Sequence, residues 1–224
     1  MSQRREADDP KEVGRLSHIE LKVRHGSVWA AMVVLTAAAC GGGTTPPPAP
    51  GQARGVAPDL RGSRVVILPF QQNTGVPGDV DAEFAFALRE QTTDVEWVQE
   101  QEVVEILQRS PAMQAQTRGL PVGTFLVSEV NRIGDPLYGH LRRISGLVDA
   151  QGILVPILAS LDPAGNVEGA EPRVRVQAAL IEPRSGRVLW YGVEESGDFS
   201  VDDPRALASA LERLAGSLLW YADD

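Results

Sequence analysis

Gly152-Ile-Leu-Val-Pro-Ile-Leu-Ala-Ser160 is the stretch on which the fold turns. Its residues are apolar without alternation, so both faces of the segment need a cover. A short run of this kind reads as a strand inside a sheet with layers on both sides. Pro156 has no N–H to give to a ladder and implies a bulge or an edge position. Arg64-Val-Val-Ile-Leu-Pro-Phe70 is a second run of the same type, ended by Pro69 and a turn-rich segment from Asn73 to Asp79.

Working outward, Arg173-Val-Arg-Val-Gln-Ala-Ala-Leu-Ile181 begins as an alternating strand. The turn Pro183-Arg-Ser-Gly186 and the strand Arg187-Val-Leu-Trp-Tyr-Gly-Val-Glu194 complete a hairpin. Asp203 and Pro204 form a cap and first helical position, and Leu207, Leu211, Leu214 and Leu218 give that helix a buried stripe. Upstream, Asp81–Gln91 and Glu100–Arg109 read as helices around a short strand at Asp94–Val98. Pro136–Ala150 reads as another helix, and Thr124–Ser128 fits either a strand or the start of a helix. The fold expected is α/β (α+β): a mixed sheet of about five strands with helices packed on it, formed by one domain over residues 63–224.

The amino-terminal part is of another kind. Val28 to Ala39 is an uncharged run with Lys22, Arg24 and His25 before it and small residues at its end. It is shorter than the roughly 20 residues of a membrane-spanning helix and has the length of a signal-peptide core. Residues 1–39 therefore read as a signal peptide, with 1–21 an unusually long polar lead and a start near Val23 or Val28 as an alternative. Cys40 follows, the only cysteine of the chain. Ala38-Ala39-Cys40 resembles the bacterial lipobox, although Ala37 stands where leucine is commoner. The resemblance implies cleavage between Ala39 and Cys40, acylation of Cys40 with palmitate-type chains, and a lipid anchor in the membrane. Ala37-x-Ala39 also suits an ordinary signal peptidase, which would release a soluble protein. Residues 40–62 are rich in Gly and Pro and read as a disordered tether that lifts the domain off the bilayer.

Charge narrows the function. The formal net charge is −9, from 21 basic and 30 acidic residues, and no Lys remains after residue 39. Binding to nucleic acid depends on clustered basic residues, so no nucleic-acid partner is expected. One cysteine excludes an intrachain disulfide and a cysteine-based zinc site. His140 is the only histidine after Cys40, so the usual acid/base residue is scarce, and neither a catalytic residue nor a metal or cofactor is expected. The acidic run Glu194, Glu195, Asp198, Asp202 and Asp203 lacks the register of a calcium loop and reads as a solvated loop and helix cap.

Three segments together are similar to the TolB amino-terminal-like domain, the fold of CsgG-type and LpoB-type envelope lipoproteins. They are Arg64–Phe70 with its polar turn, Val95–Val98 leading into Gln101–Leu107, and Gly152–Val155 with the hairpin Val174–Trp190. Glu182-Pro-Arg-Ser-Gly186 stands where that family often has Asp and Thr-Gly, and Pro156 interrupts the third segment. The resemblance implies a periplasmic module that binds or assembles other proteins, and it carries over no catalytic residue. With the lipid anchor it gives an outer-membrane lipoprotein facing the periplasm, the inner membrane or the cell surface being alternatives, that contacts an envelope protein as an assembly or accessory factor. A second reading is an anchored small-ligand or glycan sensor that uses the loop Gln71–Asp79 and nearby aromatics. Under it, His140 beside Arg142 and Arg143 is a candidate anion grip, and Trp97, Trp190, Trp220, Tyr191 and Tyr221 are candidate platforms. Packing roles for all of these are the plainer expectation.

Overall fold

The computed structural model describes residues 45–110, 112–162 and 172–221. Ala39, Cys40 and the apolar run before them lie outside the described residues. Seven strands form one mixed sheet: β1 (Gln52–Gly55), β2 (Arg64–Ile67), β3 (Gln72–Thr74), β4 (Glu96–Val98), β5 (Gly152–Asp162), β6 (Arg173–Glu182) and β7 (Arg187–Glu195). Five helices cover it: α1 (Val80–Gln91), α2 (Glu100–Arg109), α3 (Gly123–Val127), α4 (Leu137–Val148) and α5 (Pro204–Leu218). The order across the sheet is β1-β7-β6-β5-β2-β4, with β3 also on β5. The α/β class expected from the sequence is the class observed. The five strands expected are all present, and β1 and β3 are additional.

β5 organises the sheet. It pairs antiparallel with β6 along its whole length, and in parallel with β2 at its start and β3 at its end. Consecutive residues of β2 and β5 point to opposite sides. Val65 and Leu154 join Phe84 of α1 and Leu211, Leu214 and Leu218 of α5 in one apolar layer. Val66 and Ile153 join Phe125 of α3 and Leu137, Leu141, Ile144 and Val148 of α4 in the other. That two-sided cover is why the strand is apolar throughout, since full burial of each such side chain contributes roughly 1.5–3 kcal/mol. Pro156 marks a register shift between Pro156 and Leu158 inside β5, so it is a bulge in an interior strand and not an edge. The segment Thr124–Ser128, open between two readings, is the short helix α3.

The domain begins earlier than residue 63. Gln52–Gly55 pairs antiparallel with β7, from Gln52 opposite Val193 to Gly55 opposite Trp190. Pro48, Ala57 and Leu60 are buried. The Leu60 N–H donates to the Tyr221 hydroxyl at 2.9 Å, and the Glu129 N–H donates to the Thr45 carbonyl at 2.7 Å. The disordered tether expected over 40–62 is thus corrected from Thr45 onward. A Gly/Pro-rich composition suits a close-fitting strap as well as a free linker. Gly55 shows why: its φ is +74°, and a Cβ there would lie 2.3 Å from the Leu189 carbonyl oxygen, so only glycine fits.

Candidate functional site

Three places bear on function: the crevice beyond β2, the neighbourhood of His140, and the outer edge of β1. The crevice lies where β2 ends, between the amino-terminal turns of α1 and α2, a position where α/β sheets often hold ligands. It encloses about 320 Å³ and is lined by Leu68, Pro69, Asp81, Arg89, Gln99 and Arg118, among others. Three of its charged side chains are committed to one another. Arg118 contacts Asp81 at 3.2 Å and also the Glu100 carboxylate. Asp81 accepts from the Phe70 N–H at 2.7 Å, and Glu100 accepts from the Thr117 hydroxyl at 2.8 Å. One guanidinium thus joins the starts of two helices on opposite faces of the sheet. Burial works against its charge, and the Glu100 and Asp81 carboxylates together outweigh that and hold it above its ordinary range. No feature of the sequence had singled out Arg118; its partners are 37 and 18 residues away.

The loop Gln71–Asp79 is spent on structure. Gln72–Thr74 is β3, and Asn73 closes the following turn by accepting from the Val76 N–H at 3.1 Å. His140 does not reach this crevice. Its Nδ1 accepts from the Gln116 N–H at 3.2 Å, so one ring nitrogen is used to pin the chain before Arg118 onto α4. Burial, with the positive charge of Arg143, holds the imidazole below its ordinary 6.5 and so neutral.

The acidic run is dispersed. Glu194 is buried at the end of β7, and burial raises its carboxyl above the ordinary range. Asp203 caps α5 and forks onto Arg205, while Asp198 meets Arg173 at 3.4 Å. Among the described residues no three His, Cys, Asp or Glu side chains are grouped to hold a metal, and no helix is long and apolar enough to cross a membrane.

The aromatics divide sharply. Trp190, Tyr191 and Tyr221 are buried. Tyr191 donates to the Phe125 carbonyl at 2.8 Å, and burial pushes its phenol up to about 12. Trp97 is partly buried against the α1/α5 layer. Trp220 is 52% exposed, and Val56, just past β1, is 75% exposed. Both belong to one patch: the Trp220 indole N–H donates to the Ala57 carbonyl at 2.9 Å, and its ring meets Tyr221 edge-on at 5.8 Å. Arg61 lies over the Tyr221 ring at 5.3 Å and forks onto Asp59. Beside this patch runs β1, which pairs with β7 on one side and with no described strand on the other. Here an exposed aromatic held by one hydrogen bond, an exposed aliphatic side chain and a strand edge with no described strand beside it stand together. Such an arrangement suits a protein surface better than a small molecule.

No protein-family model matches the chain, and no curated protein matches it in sequence. Solved structures similar to it include the PelC dodecamer of Paraburkholderia phytofirmans, at 15% identity and TM-score 0.44 over 75% of this chain and 96% of that one. The LpoB carboxy-terminal domain of Salmonella enterica has 20% identity and TM-score 0.40 over 66% and 89% of the two chains. The lipoprotein GNA1162 of Neisseria meningitidis has 12% identity and TM-score 0.42 over 72% and 99%. LpoB, named by the sequence resemblance, is therefore also among the structures this chain is similar to.

Proposed function

We propose that the protein is an envelope lipoprotein, anchored through Cys40 at the outer membrane, whose periplasmic α/β domain binds another envelope protein as an assembly or accessory factor and catalyses no reaction. The observation that carries the binding role is the open edge of β1 flanked by Val56 and Trp220. A partner strand laid on that edge gains main-chain hydrogen bonds, and the indole supplies a preordered apolar anchor. The lipobox-like Ala38-Ala39-Cys40 supports the anchor. The crevice beyond β2 supports a ligand-sensing role less well, because Arg118, Asp81 and Glu100 satisfy one another there.

The test is photocrosslinking in the native envelope. A photoreactive residue at Val56 or Arg54 should capture one defined protein band, and Trp220→Ala should weaken that capture about tenfold or more, as loss of an aromatic anchor does. Capture that is equally strong from Arg109 on α2, or unchanged by Trp220→Ala, would sink the assignment of this edge. Palmitate incorporation that persists in Cys40→Ser would sink the anchor.

A further inference from the structure

The path of the chain from its anchor to the domain is short. Residues 41–44 are all that separate Cys40 from Thr45, whose carbonyl accepts from the Glu129 N–H. Five extended steps span no more than about 18 Å. If Cys40 carries acyl chains, the domain surface around Glu129 stays close to the lipid headgroups, and its chemistry must suit them.

That surface is basic in an acidic protein. Asn131, Arg132 and Ile133 run beside the β6–β7 turn: the Val188 N–H donates to the Asn131 carbonyl at 3.0 Å, the Ile133 N–H to the Gly186 carbonyl at 2.8 Å, and Arg132 Nε to the Ser185 carbonyl at 2.9 Å. Arg132 stands opposite Arg187 across this pairing. The Tyr138 hydroxyl donates to the Arg184 carbonyl at 2.8 Å, joining the turn to α4. Tyr138 also lines a shallow hollow with Arg142 and Arg143. Five exposed arginines, at 132, 142, 143, 184 and 187, therefore lie on the segment after Glu129, on α4 and on the β6–β7 turn, three pieces that these hydrogen bonds hold together. None of them forms an ion pair among the described residues, whereas seven of the other arginines do. Their acidic neighbours are Glu129, Asp135 and Glu182, and Glu182 accepts a hydrogen bond from the Ser185 hydroxyl. Two residues before Glu129, Val127 is 71% exposed at the end of α3.

We propose that this arginine face docks on the anionic phospholipid surface of the bilayer that holds the anchor, with Val127 at headgroup level. The proposal rests on Cys40 being the lipidated residue. Arginine forks pair with phosphate oxygens, and each basic side chain near an anionic surface strengthens association about fivefold. Lipid attachment supplies residence, and the arginines supply orientation: the face with α3, α4 and the β6–β7 turn lies toward the membrane.

The experiment uses the mature lipidated protein in vesicles of phosphatidylcholine with or without roughly 30% phosphatidylglycerol, which supplies the anionic surface. A fluorophore on Val127→Cys reports headgroup contact through quenching by brominated lipid. Quenching should be strong in anionic vesicles, weak in neutral ones and lost in high salt. The triple change Arg132→Gln, Arg184→Gln, Arg187→Gln should abolish it, and the same three positions as Lys should restore it, which separates charge from folding. Equal quenching in both vesicle types, or quenching indifferent to the Gln changes, would overturn the docking. Flotation separates the two readings. Protein that floats with vesicles but is not quenched keeps the anchor and loses the docking, while protein that fails to float with vesicles removes the anchor on which the docking rests.

Discussion

The indole N–H of Trp220 donates to the carbonyl of Ala57 across 163 positions of sequence. The residue just past the last helix thereby holds down the strap by which the chain enters the domain. Trp220→Phe removes the donor and keeps an exposed aromatic ring. The bond contributes about 0.5–1.5 kcal/mol, so amides of Gln52–Gly55 should exchange with solvent several-fold faster. Partner capture from Val56 should survive in Trp220→Phe and fail in Trp220→Ala. Equal loss in both would assign capture to the strap that the indole N–H holds in place, and not to the ring.

Gly55→Ala tests the strap more severely. The left-handed backbone and the 2.3 Å approach to the Leu189 carbonyl together cost about 2–4 kcal/mol. The domain can escape part of this by releasing β1 alone. Exchange protection of Gln52–Gly55 should vanish while that of β5 and β6 stays. Gly51→Ala, at φ +74° with no atom within 4 Å, should be milder. Similar behaviour of the two variants would remove the steric argument.

Truncation of Val66, Leu68, Leu154 or Leu211 to Ala should lower stability by about 2–5 kcal/mol. All four are 2% exposed or less, and each sits between sheet and helix. Urea midpoints within error of the parent protein would refute the two-layer packing.

His140 sets a pH dependence. In the native state burial and Arg143 disfavour the imidazolium, and Nδ1 accepts a hydrogen bond. The unfolded chain takes up a proton near the ordinary 6.5. Below that value the unfolded state holds more protons, so stability is full above it and declines as pH falls toward the depressed native value. His140→Gln should flatten this part of the profile relative to the parent. Parallel profiles for the two proteins from pH 7 to about 5 would contradict it.

Legibility followed burial. β5 and β2 were readable because both faces are covered, and α5 because Leu207, Leu211, Leu214 and Leu218 recur with the turn of a helix and are all buried. β1 was invisible for the opposite reason: Gln52, Ala53, Arg54 and Gly55 are all exposed, and what holds them is backbone pairing, which leaves no side-chain pattern. β3, Gln72-Asn73-Thr74, is the same case. The patch of Val56 and Trp220 was equally hidden, because an exposed tryptophan and a buried one look alike in sequence. Of the basic face only Arg142 and Arg143 stand out in the sequence, because the rest is assembled from two other places: the chain before α4 and the β6–β7 turn.

The pairing of β1 with β7 also governs when the domain can close. Among the described strands β1 comes first in the sequence, yet its partner is the last of them, and the bond from Leu60 to Tyr221 spans 161 residues. Contacts so distant in sequence form late and slowly. Until they form, Trp190 to Val193 present an open strand edge, which other chains can extend. An incompletely folded molecule of this protein is therefore most vulnerable to aggregation along Trp190–Val193, the edge that β1 has yet to cover.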